Sequence, residues 1–243
     1  PSSAASDVYK RQVENLTVIK KDGTKALDNV SFKAYGGEIL GIAGISGCGQ
    51  KELLESIAGL QTTTKKSSIL YKPDDLGPQQ LVGKTPREIR KLGIALSFVP
   101  EDRLGMGLVG NMDIVDNMML RSYKGGKGAF LSRKEPKHLA DDIISDLEVV
   151  TPSANTPVRR LSGGNVQKVL VGREISLQPK VLMVAYPVRG LDINSSYTIY
   201  NLLNDQKKKG VAVICVGEDL DVLLELCDKI LVLNSGKVAG IVD

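Results

Sequence analysis

Two short stretches of the chain can meet a phosphate with main-chain N–H groups. In Gly44-Ile45-Ser46-Gly47-Cys48-Gly49-Gln50-Lys51 three glycines let the backbone curl until successive N–H groups converge, and a helix starting near Gln50 adds the positive end of its dipole. Such a loop favours a polyphosphate. The spacing is that of GxxxxGK[ST], but Gln50 stands at the lysine position and Lys51 where a magnesium-binding hydroxyl is expected. The second stretch is Leu161-Ser162-Gly163-Gly164-Asn165, whose Ser-Gly-Gly turn again presents N–H groups and a hydroxyl at a helix start. Each has a plainer reading, a glycine turn packing a helix on its strand and a serine helix cap. One nucleotide hardly needs both.

The elements around these stretches follow from periodicity. VENLTVI and ALDNVSFKA read as strands of an antiparallel lead-in joined by the turn-prone KKDGTK, and EILGIAG as a buried strand. In QKELLESIAGL, Leu53, Leu54, Ile57 and Ala58 share one helical face, giving strand, glycine loop and helix in succession. From about Thr85 to Leu147 the pattern turns helical, with Leu139, Ile143, Ile144 and Leu147 expected inward on KEPKHLADDIISDLEVV. LSGGNVQKVLVGREISL opens another helix, and KVLMVAYP, GVAVICVG and KILVLNSGKVAGIV supply the remaining β elements. The pattern predicts an α/β fold with a helical subdomain over roughly 85–160.

Composition narrows the function classes. A chain of 243 residues, 42% apolar and 25% charged, can bury a substantial core and is neither fibrous nor disordered. Aromatics at 4% with no Trp argue against a stacking platform for single-stranded nucleic acid, and the net charge of +4 carries no basic tail, so no nucleic-acid partner is expected. Three scattered cysteines outside any CxxC pattern argue against a disulfide framework or zinc site. No apolar run approaches the roughly 20 residues of a spanning helix, and the chain reads as cytosolic. Residues 1–12, PSSAASDVYKRQ, lack the apolar stretch of a secretory signal and are expected to be a non-native leader ahead of a domain over 13–243.

With these motifs in order, the chain resembles the ATP-binding domain of ABC transporters: LSGGN matches the family signature, and GLD at 190–192 the loop after its Walker B strand. More narrowly, GISGCGQKEL, VPEDR at 99–103, TPVRRLSGGNVQKVLVGREI and PVRGLD resemble the second, degenerate half of the fused ATPase subunit of sugar and nucleoside importers. The resemblance implies a P-loop NTPase core of ABC ATPase type, with ATP lying between the glycine loop of one domain and the signature turn of another. Residues 44–51 and Glu101, at the Q-loop position, are then expected to receive ATP. Leu161, Ser162, Gly163, Gly164 and Asn165 would close over the γ-phosphate held by a partner half, with Asp192 at the interface between halves.

Phosphoryl transfer needs charge neutralisation, a held Mg²⁺ and a positioned water. The resemblance puts Ala185 at the metal-holding aspartate, Tyr186 at the water-activating glutamate, Glu218 at the γ-phosphate-sensing histidine and Glu101 at the usual glutamine. No intact catalytic residue remains, Mg²⁺ is expected mainly at the partner's half-site, and hydrolysis at this half's own loop is expected to be poor. The two carboxylates either face solvent or are offset near phosphates by a metal, a water or Arg103. Lys51 either replaces part of the metal's charge or is a solvated lysine. No aromatic residue lies between Val13 and Leu27 to stack on adenine. His138, the only histidine, is expected at the surface, and Met112, Met118 and Met119 with Leu120 in the subdomain core or against a membrane partner.

The resemblance implies as partners an intact ABC ATPase half in the same longer subunit, membrane permease subunits and an extracytoplasmic substrate-binding protein. The implied location is peripheral, on the inner face of the cell membrane. A soluble non-transport ABC ATPase and a purely regulatory nucleotide-binding module are the alternatives.

Overall fold

A computed structural model describes residues 9–73, 77–122 and 132–243. In chain order the elements begin with β1 (Tyr9–Ile19), β2 (Lys25–Tyr35), β3 (Ile39–Ala43), α1 (Gln50–Ile57), β4 (Ser68–Tyr71), β5 (Gln79–Gln80), α2 (Pro86–Lys91) and β6 (Leu96–Val99). There follow α3 (Ile114–Ser122), α4 (Lys134–Asp146), α5 (Gly163–Ser176), β7 (Val181–Ala185), α6 (Ile193–Lys208), β8 (Ala212–Val216), α7 (Leu220–Leu226), β9 (Lys229–Asn234) and β10 (Lys237–Val242). They form two compact units, one from the stretches up to Phe98, Gln178–Tyr186 and Leu202–Asp243, the other from Val99–Leu177 and Pro187–Asn201.

The first unit is built on two sheets. One has the order β2-β1-β4-β5 and is antiparallel throughout; the other has the order β10-β9-β3-β8-β7-β6, parallel from β9 to β7 with β10 antiparallel at its edge. β3, β7 and β8 are continuous apolar runs buried at every position, as strands covered on both faces must be. Leu16, Leu27 and Val30 of the antiparallel sheet join Leu53, Leu54 and Ile57 of α1 in one core. α2 is started by a capping box, the Thr85 hydroxyl accepting from the Glu88 N–H and the Glu88 carboxylate from the Thr85 N–H.

Within the expected leader, residues 1–8 lie outside the described residues, whereas residues 9–12 open β1. Arg11 pairs with Tyr71 across the sheet and is fully buried, its guanidinium 5.5 Å from the Tyr71 ring centre. Among the described residues none of its three side-chain nitrogens has a hydrogen-bond partner. Burial lowers its pKa from 12.5 to about 10.

The second unit is mainly helical and differs in extent from the 85–160 reading: 85–98 belongs to the first unit, while 161–177 and Pro187–Asn201 are gained. A π-helical turn at Arg103–Gly107 is capped by Asp102, which accepts from the Gly105 N–H at 2.8 Å, and Arg173 of α5 donates to the Gly107 carbonyl at 2.7 Å. Asn117, fully buried, ties the α3 entry together by donating to the Val109 and Asp113 carbonyls and accepting from the Val109 N–H. The buried face of α4 is Pro136, Ala140 and Ile143, continued by Leu147; Leu139 and Ile144, expected inward, are only half-buried. α5 approaches this face closely: a Cβ on Gly172 would lie 3.0 Å from Ile143 and 3.1 Å from Leu147. Met118 is buried, whereas Met112 and Leu120 are exposed, as is His138. Among the described residues no helix is long and apolar enough to cross a membrane.

Candidate functional site

The glycine loop joins the end of β3 to α1 and is fixed by its surroundings. A Cβ at Gly44 would lie 2.6 Å from the Leu233 carbonyl oxygen, and one at Gly49 2.6 Å from that of Ala26, so neither position admits a side chain. Gly47 has open space beside it but a φ of 87°, the left-handed region that favours glycine. The Cys48 N–H donates to the Ile45 carbonyl at 3.2 Å, and the Cys48 carbonyl accepts from the Gly236 N–H at 3.1 Å. Ile45, Ser46 and Gly47 are left exposed at the tip. The result is a glycine-lined backbone cradle ahead of a helix start whose first N–H groups have no intrahelical acceptor.

The side chains of the cradle do not supply the usual charge. Gln50 is 2% exposed and turned inward, its Nε2 donating to the Ile45 carbonyl at 3.0 Å, so it braces the loop from beneath. Lys51 is two-thirds exposed and lies 3.8 Å from Glu55 one turn on, an arrangement of small energy, about 0–1 kcal/mol.

β7 ends at Ala185, which has no side chain to hold a metal. Tyr186 is buried, has a φ of 49°, and donates its N–H to the Val216 carbonyl at 2.8 Å. A phenol, with an ordinary pKa near 10, is a poor general base at neutral pH. Glu218 is exposed just ahead of α7, whose start is capped by Asp219 accepting from the Asp221 N–H at 3.0 Å. Among the described residues no cluster of three or more His, Cys, Asp and Glu could hold a metal ion. Lys51, Ala185 and Tyr186 offer an ammonium, a methyl group and a buried phenol, none of them a carboxylate or aliphatic hydroxyl that would hold Mg²⁺.

In the second unit the LSGGN turn starts α5. Ser162 is its cap, accepting from the Asn165 N–H at 3.4 Å and from the Asn165 side-chain amide at 3.0 Å, while Asn165 Oδ1 accepts from the Val150 N–H at 3.0 Å. Ser162 and Gly163 are exposed and Leu161 is half-buried. Gly164 is buried, and a Cβ there would lie 2.4 Å from Ser195 Oγ and 3.3 Å from Asp192 Oδ2. Asp192 accepts from the Ser195 N–H at 2.9 Å and from the Ser195 hydroxyl at 2.7 Å, and these bonds hold its carboxyl below the usual range. The signature turn and the 190–192 loop are thus in contact inside one unit.

Glu101 belongs to the same group. Its counter-charge is Arg189, whose Nη1 lies 2.5 Å from Glu101 Oε1, rather than Arg103. Arg103 donates instead to the Arg189 carbonyl at 2.5 Å, and burial lowers its pKa. Sequence reasoning missed Arg189 and Ser195. Asp192-x-x-Ser195 is a legible cap pattern, but nothing local marks Arg189, which lies 88 positions from Glu101.

A family model described as ABC transporter matches residues 27–187. The chain is 38% identical over 232 residues to the xylose import ATP-binding protein XylG of Thermoanaerobacter pseudethanolicus, covering 94% of the chain and 45% of that protein. It is 36% identical to the galactose/methyl galactoside import ATP-binding protein MglA of Fusobacterium nucleatum, covering 95% and 44%, and 36% identical to the ribose import ATP-binding protein RbsA of Clostridium tetani, covering 94% and 43%. The chain spans under half the length of these curated relatives. Among solved structures, a dimeric ATP-binding cassette bound to ADP and Pi superimposes with a TM-score of 0.81 at 24% identity, covering 96% of this chain and 98% of that one. A nucleotide-free ATP-binding cassette from an ABC transporter gives 0.78 at 21%, covering 96% and 91%. At these identities the structural likeness is one of fold, and with the family match it leads to one conclusion: the chain belongs to the ABC transporter family and has the fold of its ATP-binding cassettes.

Proposed function

We propose that this chain is one ATP-binding half of a sugar importer's ATPase, and that it completes a partner's active site without running an effective one of its own. The observation that carries the reading is the contrast between its two helix starts. The signature turn is exposed with Ser162 in its cap geometry, whereas the glycine loop keeps its backbone cradle but has Gln50 turned away and Ala185 and Tyr186 in place of acidic side chains. Main-chain N–H groups at Gly44–Lys51 would hold a nucleotide's phosphates weakly, and Ser162, Gly163 and Gly164 would cover the γ-phosphate of a nucleotide on an intact partner half. The substrate class follows from relatives named for xylose, galactose and ribose import; a nucleoside is the other cargo the motifs admit. Permease subunits, an extracytoplasmic binding protein and a peripheral place on the inner membrane face complete this reading.

Within the chain, chemistry is limited by what is lost. Removing one preorganised stabilising group at an active site commonly costs about 10²–10³ in rate, and several are absent here. The test is to combine the chain with an ABC half bearing an intact GKS loop and follow ATP hydrolysis. Turnover requires both, and Ser162→Arg in this chain abolishes it; unchanged turnover with Ser162→Arg overturns the reading.

A further inference from the structure

We infer that Glu101, Arg103 and Arg189 are positioning residues that clamp the loop 187–192 to the signature turn, so that Glu101 serves this clamp instead of meeting a nucleotide. The inference rests on the function proposed above and assigns roles within the second unit alone. Five contacts carry it. Arg103 Nη2 donates to the Arg189 carbonyl, and Arg189 Nη1 pairs with Glu101, each at 2.5 Å, so one residue of the loop is gripped through its backbone and its side chain. The Arg103 guanidinium also lies against the signature: Nη1 is 3.6 Å from where a Cβ would stand on Gly163. On the far side, Asp192 caps α6 through Ser195, and Ser195 packs under Gly164 closely enough to exclude a methyl group.

The loop is therefore held to the signature turn at both ends, by Arg103 beside Gly163 and by Ser195 beneath Gly164. Energetically the exposed Glu101–Arg189 pair alone is worth little. Its value is geometric, because the Arg189 carbonyl can accept from Arg103 only while the loop keeps this conformation. A glutamate at position 101 also resolves a charge problem, since its carboxylate is neutralised by Arg189 and need not approach phosphates.

The test uses Arg103→Ala, Glu101→Arg, Arg189→Glu and the double exchange Glu101→Arg/Arg189→Glu. In the chain itself, amide hydrogen exchange over 189–195 is expected to quicken in each single variant and to return toward the parent rate in the double exchange. In the assembly with an intact half, the single variants are expected to lower kcat about tenfold to a hundredfold with KM for ATP little changed, the size of effect expected when a catalytic group is slightly misplaced. The double exchange is expected to recover most of the loss, which general destabilisation would not produce. Unchanged exchange, or lost turnover that the double exchange does not restore, overturns the clamp. Ser162→Arg run alongside separates the outcomes: if that variant remains active the proposed function has failed, and if it is inactive while the clamp variants leave exchange unchanged or are not restored by the double exchange, the inference alone has failed.

Discussion

Gln50 shows how one side chain braces the glycine loop. Where an ammonium would reach forward, its amide folds back on the Ile45 carbonyl and keeps the cradle's shape without its charge. Gln50→Lys should therefore strengthen ATP binding by the isolated chain about 10- to 100-fold, the range of a hydrogen bond to a charged group of about 1.5–3 kcal/mol, read by fluorescence titration. An unchanged Kd would mean that the loop does not present its backbone to phosphate. Arg11 makes the opposite point, being a buried cation whose side-chain nitrogens have no hydrogen-bond partner among the described residues. Its pKa is depressed to about 10, so the charge costs stability at every pH below that value and the cost is relieved only as pH rises from about 10 toward 12.5. Arg11→Leu should stabilise the chain by about 1–3 kcal/mol in urea unfolding at pH 7, the cost of unsatisfied buried donors. Glycine positions were legible in the sequence because φ and close approach are local demands. The inward turn of Gln50 was not, because it depends on where the Ile45 carbonyl points.

Among elements, the start of α6 carries a titration. Hydrogen bonds from Ser195 hold the Asp192 carboxyl below its ordinary value of 3.8. A depressed folded-state pKa means that the cap's contribution is fully present above that ordinary value and is lost as pH falls through the lower folded-state value. Asp192→Asn should flatten the pH dependence of stability below roughly pH 4, measured by urea unfolding from pH 2.5 to 5; an unaltered slope would deny Asp192 that role. Gly164→Ala should displace Ser195 at a cost of about 1–3 kcal/mol, the usual range for overpacking. The strand, loop and helix succession at 38–58 was readable because EILGIAG and QKELLESIAGL differ sharply in period. On α4 Ile143 and Leu147 are buried as expected, packed on Gly172, whereas Leu139 and Ile144 are only half-buried, because helical period alone does not report what lies opposite.

For the whole molecule, the family and fold were legible because two spaced motifs and an apolar strand pattern each demand backbone geometry in a fixed order. The pairing of Glu101 with Arg189 was not, since it spans 88 positions and joins two segments that only folding brings together. The central claim is that this chain binds nucleotide with backbone groups and completes a site it does not itself possess. Steady-state ATP hydrolysis by the purified chain, alone and then with an intact ABC half, tests it most directly. The account predicts negligible turnover alone and robust turnover on mixing that disappears with Ser162→Arg; brisk hydrolysis by the chain alone would contradict it.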